Sequence, residues 1–216
     1  RLLARGPRFR VDGEVLRDTA LFVSGLLNEQ RGGKGVKPYE PGGLWEAVSF
    51  NNAQKYVQDK GEGNYRRSLY TYWKRQSPPP NMLIFDAPTR EYCVVRRPRT
   101  NTPLQALVLL NDPQFVEASR AFADRILLEG GKSTASRIAF AFRQATSRAP
   151  GADELKVLEA VLKQQLAEFR KDTEAAKKLL AIGAFQADAS LDPGELAAWA
   201  TVASMILNLD EAVTKG

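Results

Sequence analysis

The second half of the chain, from residue 101 onward, carries apolar residues at the spacing of an α-helix. Positions three or four residues apart fall on one helical face, and prolines and glycines divide the pattern into separate segments. All four prolines of this half stand at or near the start of a segment, where proline is well tolerated. We therefore predict helices over residues 103–110, 113–129, 134–147, 152–170, 172–182 and 193–208.

Capping signals support two of these helix starts. Thr102 and Asp192 are each followed by proline at the first helical position, and by Gln105 or Glu195 three residues on, which is the pattern of a capping box. The helix that follows Thr102 is apolar on most sides, so we expect it to be buried.

The first half of the chain contains one long amphipathic segment. Apolar residues from Phe9 to Leu27 share one helical face, and Asp12 is the expected N-cap. No strand pattern extends beyond a few residues. Glycines and prolines break the remainder into short pieces. We predict one helical turn at 44–48, short helices at 65–75 and 86–95, and extended or buried coil at 82–85.

Together these patterns predict a mostly α-helical protein, in which an irregular, loop-rich N-terminal half with short helices packs on a C-terminal multi-helix bundle. At 216 residues the chain can bury a real core, and we expect a single domain over 1–216, with sub-regions 1–100 and 101–216. It opens on Arg1-Leu2-Leu3, which already reads as structured protein, so we expect a fragment of a longer polypeptide. No run of about 18 apolar residues is present, so we predict no membrane span.

Composition narrows the chemistry that this chain can perform. It has no histidine and one cysteine, Cys93. This excludes Ser-His-Asp and Cys-His nucleophile systems, an internal disulfide, and most zinc or haem ligation. We therefore predict no metal site, and we expect Cys93 to be a small buried apolar residue.

Charge is unevenly distributed between the two halves. Residues 1–100 carry 18 Lys and Arg against 10 Asp and Glu, a net charge of +8, whereas residues 101–216 carry 13 against 15, a net charge of −2. This asymmetry indicates an anionic partner for the first half, unless its arginines are used by local acids and backbone carbonyls.

The strongest candidate site directly precedes the helix at Pro103. Arginines bind anions with bidentate geometry, and a helix N-terminus adds unpaired N–H groups. We predict a pocket for a phosphate, sulfate or carboxylate group formed by Arg96, Arg97, Arg99, Thr100 and Asn101. The alternative is that the three arginines form structural ion pairs with acids such as Asp86, Glu91 and Asp112.

Aromatic residues lie among the basic residues between positions 65 and 92. Exposed aromatic rings can stack on sugars or bases, whereas buried ones would form the core of a small subdomain. The candidates for an exposed aromatic surface are Tyr70, Tyr72 and Trp73.

Several strings carry a family resemblance that covers essentially the whole chain. They include YRRSLYTYWKR at 65–75, FDAPTRE-x-C at 85–93 and, most specifically, RTNTPLQAL-x-LLNDP at 99–113. The chain resembles the planctomycete PSD-type C-terminal domain, a domain of unknown function. The resemblance implies a large exported, and hence extracytoplasmic, protein with upstream domains that include cytochrome-c-like segments. This chain has no CxxCH motif, so any haem would belong to a separate upstream domain, and the resemblance supplies no catalytic residue.

Three functions stay open from the sequence. The leading one is a non-catalytic accessory or interaction domain that contacts the upstream domains of the same polypeptide or an anionic ligand such as a glycan. The second is an enzyme domain acting on acidic or sulfated polysaccharides, which requires a deep cleft lined by the arginines with Tyr72 and Trp73. The third is nucleic-acid binding, which requires a continuous exposed basic face and suits an exported protein poorly.

Overall fold

The computed structural model describes residue 6 and residues 8–215, and it confirms the mostly α-helical fold class. Arg1-Leu2-Leu3, expected to be structured, lie outside the described residues. No helix in the described ranges combines the length and apolar character needed to cross a membrane. The α-helices are α1 (Gly13–Ser24), α2 (Leu44–Ala47), α3 (Pro80–Ile84), α4 (Pro103–Asn111), α5 (Pro113–Glu129), α6 (Thr134–Thr146), α7 (Ala152–Lys171), α8 (Thr173–Leu180), α9 (Pro193–Leu207) and α10 (Asp210–Val213).

Helix α5 lies between two apolar clusters and contributes to both. The larger cluster packs Phe122 and Ile126 of α5 against α6, α7 and α9, where Trp199 is almost fully buried. The smaller cluster packs Phe115 of α5 against Leu16 of α1 and neighbouring side chains of the loop-rich half. Because α5 belongs to both clusters, it connects the loop-rich half to the bundle, as the predicted arrangement requires.

Asp12 is the N-cap residue of the first helix, as predicted, but the helical pattern was wrongly extended back to Phe9. Phe9–Arg10 form a short strand, β1, that pairs antiparallel with β2 (Thr214–Lys215), and α1 begins only after Asp12. The Asp12 side chain makes no capping hydrogen bond. The extended conformation of residues 9–10 depends on a partner strand at the far end of the sequence, which local helical spacing cannot reveal.

Three further predictions in the loop-rich half are wrong. Residues 65–75 form no α-helix: they contain the end of a 3₁₀ turn at Gly61–Tyr65 and a second 3₁₀ turn at Ser68–Tyr70. Residues 80–84 form α3 where coil was expected, because Pro80 stands at the first helical position. Residues 86–95 form no helix, since Asp86 has a left-handed φ of 61° that does not begin one. The prediction that Cys93 is buried is also wrong, because the segment that contains it forms no helix and the cysteine is exposed.

Helix α4 is placed as predicted, but it is less buried than expected. Leu104 and Leu107 are 52% and 54% exposed. Thr102 makes no side-chain capping hydrogen bond, so the predicted capping box is not formed there. In contrast, Asp192 accepts a hydrogen bond from the Glu195 backbone N–H at 2.8 Å at the start of α9.

A polar stripe along α5 is buried, although its members are residue types that normally face solvent. They are spaced three or four residues apart and therefore share one helical face. Buried polar groups require hydrogen-bond partners, and here the partners come from other elements and from two irregular segments, 39–65 and 182–188. The stripe consists of Gln114, Glu117, Arg120 and Asp124, each at least nine-tenths buried.

Glu117 is the most heavily used member of the polar stripe. Its Oε1 accepts hydrogen bonds from the hydroxyls of Tyr39 (3.2 Å) and Tyr65 (2.8 Å) and from the backbone N–H groups of Ala184 (2.5 Å) and Phe185 (2.6 Å). Burial, aided by the Glu117 carboxylate, raises the pKa of Tyr39 to about 12, so this hydroxyl keeps its proton at neutral pH. One carboxylate thus joins both irregular segments to α5.

The next two members of the polar stripe hold the segment between α8 and α9. Arg120 donates hydrogen bonds to the carbonyls of Ile182 and Phe185. Asp124 accepts one from the Asp188 backbone N–H at 2.8 Å. These contacts supply the hydrogen bonds that a segment without regular secondary structure cannot make internally.

Arg17 of α1 also supplies hydrogen bonds to irregular backbone. Its guanidinium donates to the carbonyls of Asn64 (2.6 Å) and Arg66 (2.8 Å) and to the side chain of Gln114. Burial lowers the pKa of Arg17 to about 10, which reflects the desolvation of its charge. Arg17 therefore fixes the backbone of residues 64–66 against α1 and α5.

We expect Arg17→Met to lower the free energy of unfolding by about 3 kcal/mol or more, because three buried acceptors lose their donor at roughly 1–3 kcal/mol each. Urea denaturation followed by circular dichroism measures this. Arg75→Met, which alters an exposed arginine near the same motif, is the control and should cost less than about 0.5 kcal/mol. Equal losses for the two variants would show that Arg17 is not a structural anchor.

We also expect Gly183→Ala to be more destabilising than Gly43→Ala. Both glycines have left-handed backbone, with φ of 88° and 87°, but a Cβ at Gly183 would lie 2.5 Å from Cδ of Glu117, whereas nothing lies within 4 Å of a Cβ at Gly43. Gly43→Ala should lower the free energy of unfolding by about 1–2 kcal/mol, from backbone strain alone. Gly183→Ala should lower it by about 1–3 kcal/mol more, because the added methyl group overpacks the site. Thermal and urea unfolding of the pair test this, and equal effects would contradict the close packing on Glu117.

Candidate anion-binding groove

An open groove lies where strand β1, the segment before α4, and the start of α10 meet. Its volume is about 690 Å³. Strand pairing of β1 with β2 brings residues from opposite ends of the sequence to its walls. The groove is lined by Arg8, Phe9, Arg10, Arg96, Arg99, Thr100, Asn101, Asp210 and Thr214. We refer to it as the cationic groove, because four arginines face a single carboxylate among these residues.

Four of the five predicted anion-binding residues line the cationic groove: Arg96, Arg99, Thr100 and Asn101. Arg97 does not line it. Its guanidinium forms a bidentate pair with Glu14 of α1, at 2.8 and 3.1 Å, and lies 3.6 Å from Asp12. The hydrogen bonds to Glu14 raise the pKa of Arg97 above its ordinary value. Arg97 is therefore not part of the predicted anion pocket. Its acidic partners are also not those suggested by the sequence.

Contacts with Asp86 and with strand β1 hold the segment 99–101 in place. The Asp86 carboxylate accepts hydrogen bonds from the backbone N–H (2.6 Å) and the hydroxyl (2.9 Å) of Thr100. The guanidinium of Arg99 stacks over the Phe9 ring, 4.2 Å from its centroid, and Arg10 donates a hydrogen bond to the side chain of Asn101. Asp86 therefore positions one wall of the groove and does not pair with an arginine there.

Sequence reasoning missed Arg8, Arg10 and Asp210. The two arginines lie on or next to β1, in a segment that the sequence assigned partly to a helix. Asp210 forms an ion pair with Arg8 at the groove. The two arginines at positions 8 and 10 are visible in the sequence. Their place at the groove is not, because it depends on the pairing of β1 with β2 at the far end of the chain.

The first residue of the predicted aromatic surface, Tyr70, takes part in a structural cluster. Arg66 stacks 3.9 Å from the centroid of the Tyr70 ring and donates to the carbonyls of Gln30 (3.1 Å) and Lys34 (2.8 Å). The Tyr70 hydroxyl accepts a hydrogen bond from the Gly32 N–H at 2.7 Å. Arg66 and Tyr70, both from the motif at 65–75, thus organise the glycine-rich loop at 30–35.

The other two predicted aromatic residues also lie outside the groove lining. Tyr72 is about half exposed and packs against the buried Trp45, with ring centroids 5.8 Å apart. Trp73 donates from Nε1 to the Thr89 carbonyl at 2.9 Å, and Arg90 stacks over its ring at 4.3 Å. The structure therefore does not bring Tyr70, Tyr72 and Trp73 together with the arginines in one cleft.

Two carboxylates have raised pKa values, and both lie away from the groove lining. Burial raises the pKa of Asp112, which is the N-cap of α5, against opposing hydrogen bonds from Gln114 and Asn81. Burial also raises the pKa of Glu40, which lies beside Trp45. Neither of these acids lies in the lining of the cationic groove, so neither is placed to transfer a proton to a ligand there.

The fold and the groove define a mostly α-helical domain, organised around one central helix, with a cationic groove on its surface. Residues 1–162 match the family model of PSD1, described as a protein of unknown function (DUF1553), and the chain belongs to this family. No curated protein and no solved structure matches the chain.

The different positions of the arginines predict different effects on stability. We expect Arg97→Ala to lower the free energy of unfolding by about 1 kcal/mol, because a bidentate, half-buried ion pair with Glu14 is lost. Arg96→Ala, from the exposed groove wall, should change it by less than about 0.5 kcal/mol. Urea denaturation of both variants measures the difference, and an equal or larger loss for Arg96→Ala would contradict this assignment.

Proposed function

We propose that this chain is a non-catalytic interaction domain of an extracytoplasmic multidomain protein, and that its cationic groove binds an anionic ligand or an anionic surface of a neighbouring domain. The observation that carries the proposal is the grouping of Arg8, Arg10, Arg96 and Arg99 around one open groove with a single carboxylate, Asp210. A locally cationic, concave surface attracts anions and strengthens their binding.

The contrast with the buried arginines supports a binding role for those of the groove. Arg17, Arg66 and Arg120 are nearly inaccessible and their guanidinium groups are occupied by backbone carbonyls. Arg96 is exposed and makes no ion pair or hydrogen bond within residues 8–215, and Arg99 stacks on a ring that leaves its N–H groups available. An arginine held at a concave surface without a strong internal partner retains its donors for a ligand.

An enzyme acting on glycans is the weaker alternative. It would need an acid near the arginines and stacking aromatics in the same cleft. Asp210 at the groove is paired with Arg8, and Tyr72 and Trp73 lie elsewhere. Nucleic-acid binding is weaker still, because it calls for an extended basic face, whereas the arginines that carry this proposal converge on one groove.

We expect the double variant Arg96→Ala/Arg99→Ala to bind dextran sulfate, a sulfated polysaccharide, at least tenfold more weakly than the unaltered chain, since each arginine can supply charge-assisted hydrogen bonds. Isothermal titration calorimetry at 50 and 150 mM NaCl measures the affinity and its dependence on salt.

The matched control is Lys156→Ala/Lys178→Ala, which removes the same charge from exposed positions on α7 and α8. It should keep its affinity within about twofold if the groove is the site. Equal losses for both double variants would mean that net charge alone attracts the polyanion, and the groove would not be its site.

A further inference from the structure

A water-sized cleft opens beneath the cationic groove. Its accessible volume is about 10 Å³, enough for one oxygen-sized group. It shares Arg10, Arg99 and Thr100 with the groove, so the two spaces adjoin. Gln105, Asp86 and Asp12 complete its polar lining.

One residue that lines this cleft, Gln105 of α4, has a buried acceptor without a partner. Gln105 is 1% exposed, and its Nε2 donates to the Ile84 carbonyl and to the Thr100 hydroxyl, both at 3.0 Å. These two acceptors fix which end of the carboxamide is the N–H₂ group. Within the described residues, the Oε1 of Gln105 is buried and accepts no hydrogen bond.

A donor without a partner lines the same cleft from β1. The Nη2 group of Arg10 donates to the Asn101 side chain, but its Nε is buried and has no acceptor among the residues that the structure describes. Leaving buried polar groups unpaired costs roughly 1–3 kcal/mol each. A single hydroxyl group within reach of both atoms could accept from Arg10 Nε and donate to Gln105 Oε1.

We propose, building on the anion-binding function above, that the ligand of the groove is a hydroxylated oxyanion, such as a sugar acid, and that one of its hydroxyl groups occupies the cleft. The anionic group then contacts Arg96 and Arg99 in the open groove. The carboxylates of Asp12 and Asp86 at the cleft disfavour a second anion there and favour a neutral hydroxyl donor. The site therefore recognises charge and hydroxyl together.

The test compares three small ligands by titration calorimetry or NMR: D-glucuronate, cyclohexanecarboxylate, which keeps a ring and the carboxylate but has no hydroxyl groups, and neutral D-glucose. We expect D-glucuronate to bind about tenfold more tightly than cyclohexanecarboxylate, as one added donor–acceptor pair allows. D-Glucose should bind much more weakly than both.

The variant Arg10→Lys keeps the positive charge of the groove but removes the Nε–H donor at the cleft. We expect it to lose the preference for D-glucuronate, so that its affinities for D-glucuronate and cyclohexanecarboxylate lie within about threefold of each other. A complementary Arg96→Ala/Arg99→Ala variant should weaken both carboxylates.

The outcomes separate the two proposals. Equal affinity of the unaltered chain for the two carboxylates, with both weakened by Arg96→Ala/Arg99→Ala, overturns the hydroxyl assignment while the anion groove stands; a water molecule would then occupy the cleft. No binding of either carboxylate, together with no effect of the groove variants on dextran sulfate, overturns both. A D-glucuronate preference that survives Arg10→Lys also overturns the assignment of the hydroxyl to the cleft.

Discussion

The structure depends on a polar stripe inside a buried helix. Helix α5 is covered on nearly all sides, yet it carries Gln114, Glu117, Arg120 and Asp124 along one face. Such burial is stable only when each group finds partners. The irregular segments supply them, and in return the stripe satisfies the backbone and tyrosine donors of those segments. Side chains of α5, together with Arg17 of α1, therefore hold irregular parts of the loop-rich half in place.

Arginine side chains hold irregular segments in place at three other positions. Arg17 holds residues 64–66, Arg66 holds the loop at 30–35, and Arg97 attaches the segment before α4 to α1. The fork-shaped guanidinium can reach several carbonyls or both carboxylate oxygens at once. Much of the positive charge of the first half is therefore structural. What distinguishes Arg96 and Arg99 in the groove is the lack of comparable internal partners, whereas Arg8 and Arg10 contact Asp210 and Asn101.

How well each half can be predicted depends on whether its contacts join residues that are near or distant in the sequence. The bounds of α5 were predicted correctly, because Asp112, Pro113 and the glycines after Glu129 are all local signals. The buried stripe of α5 was not predictable, since Glu117 resembles any surface glutamate until Tyr39, Tyr65 and residues 184–185 are placed around it. Among the candidate site residues, the cluster at 96–101 was visible as a local string, but its division between Arg97 and the other four depended on Glu14, more than 80 positions away.

Folding alone positions the residues of the groove, and this bears on how tightly the proposed ligand would bind. Residues from β1, from the segment at 96–101 and from α10 meet there only because β1 pairs with β2 and because Arg97 and Asp86 fix the segment from below. Ordering flexible side chains and loops on binding costs roughly 0.5–1.5 kcal/mol for each immobilised side chain. Here part of that cost is already met by folding. The contacts that Arg97 makes with Glu14, which keep it out of the groove, and the contacts of Asp86 with Thr100 thus position the residues that line the groove.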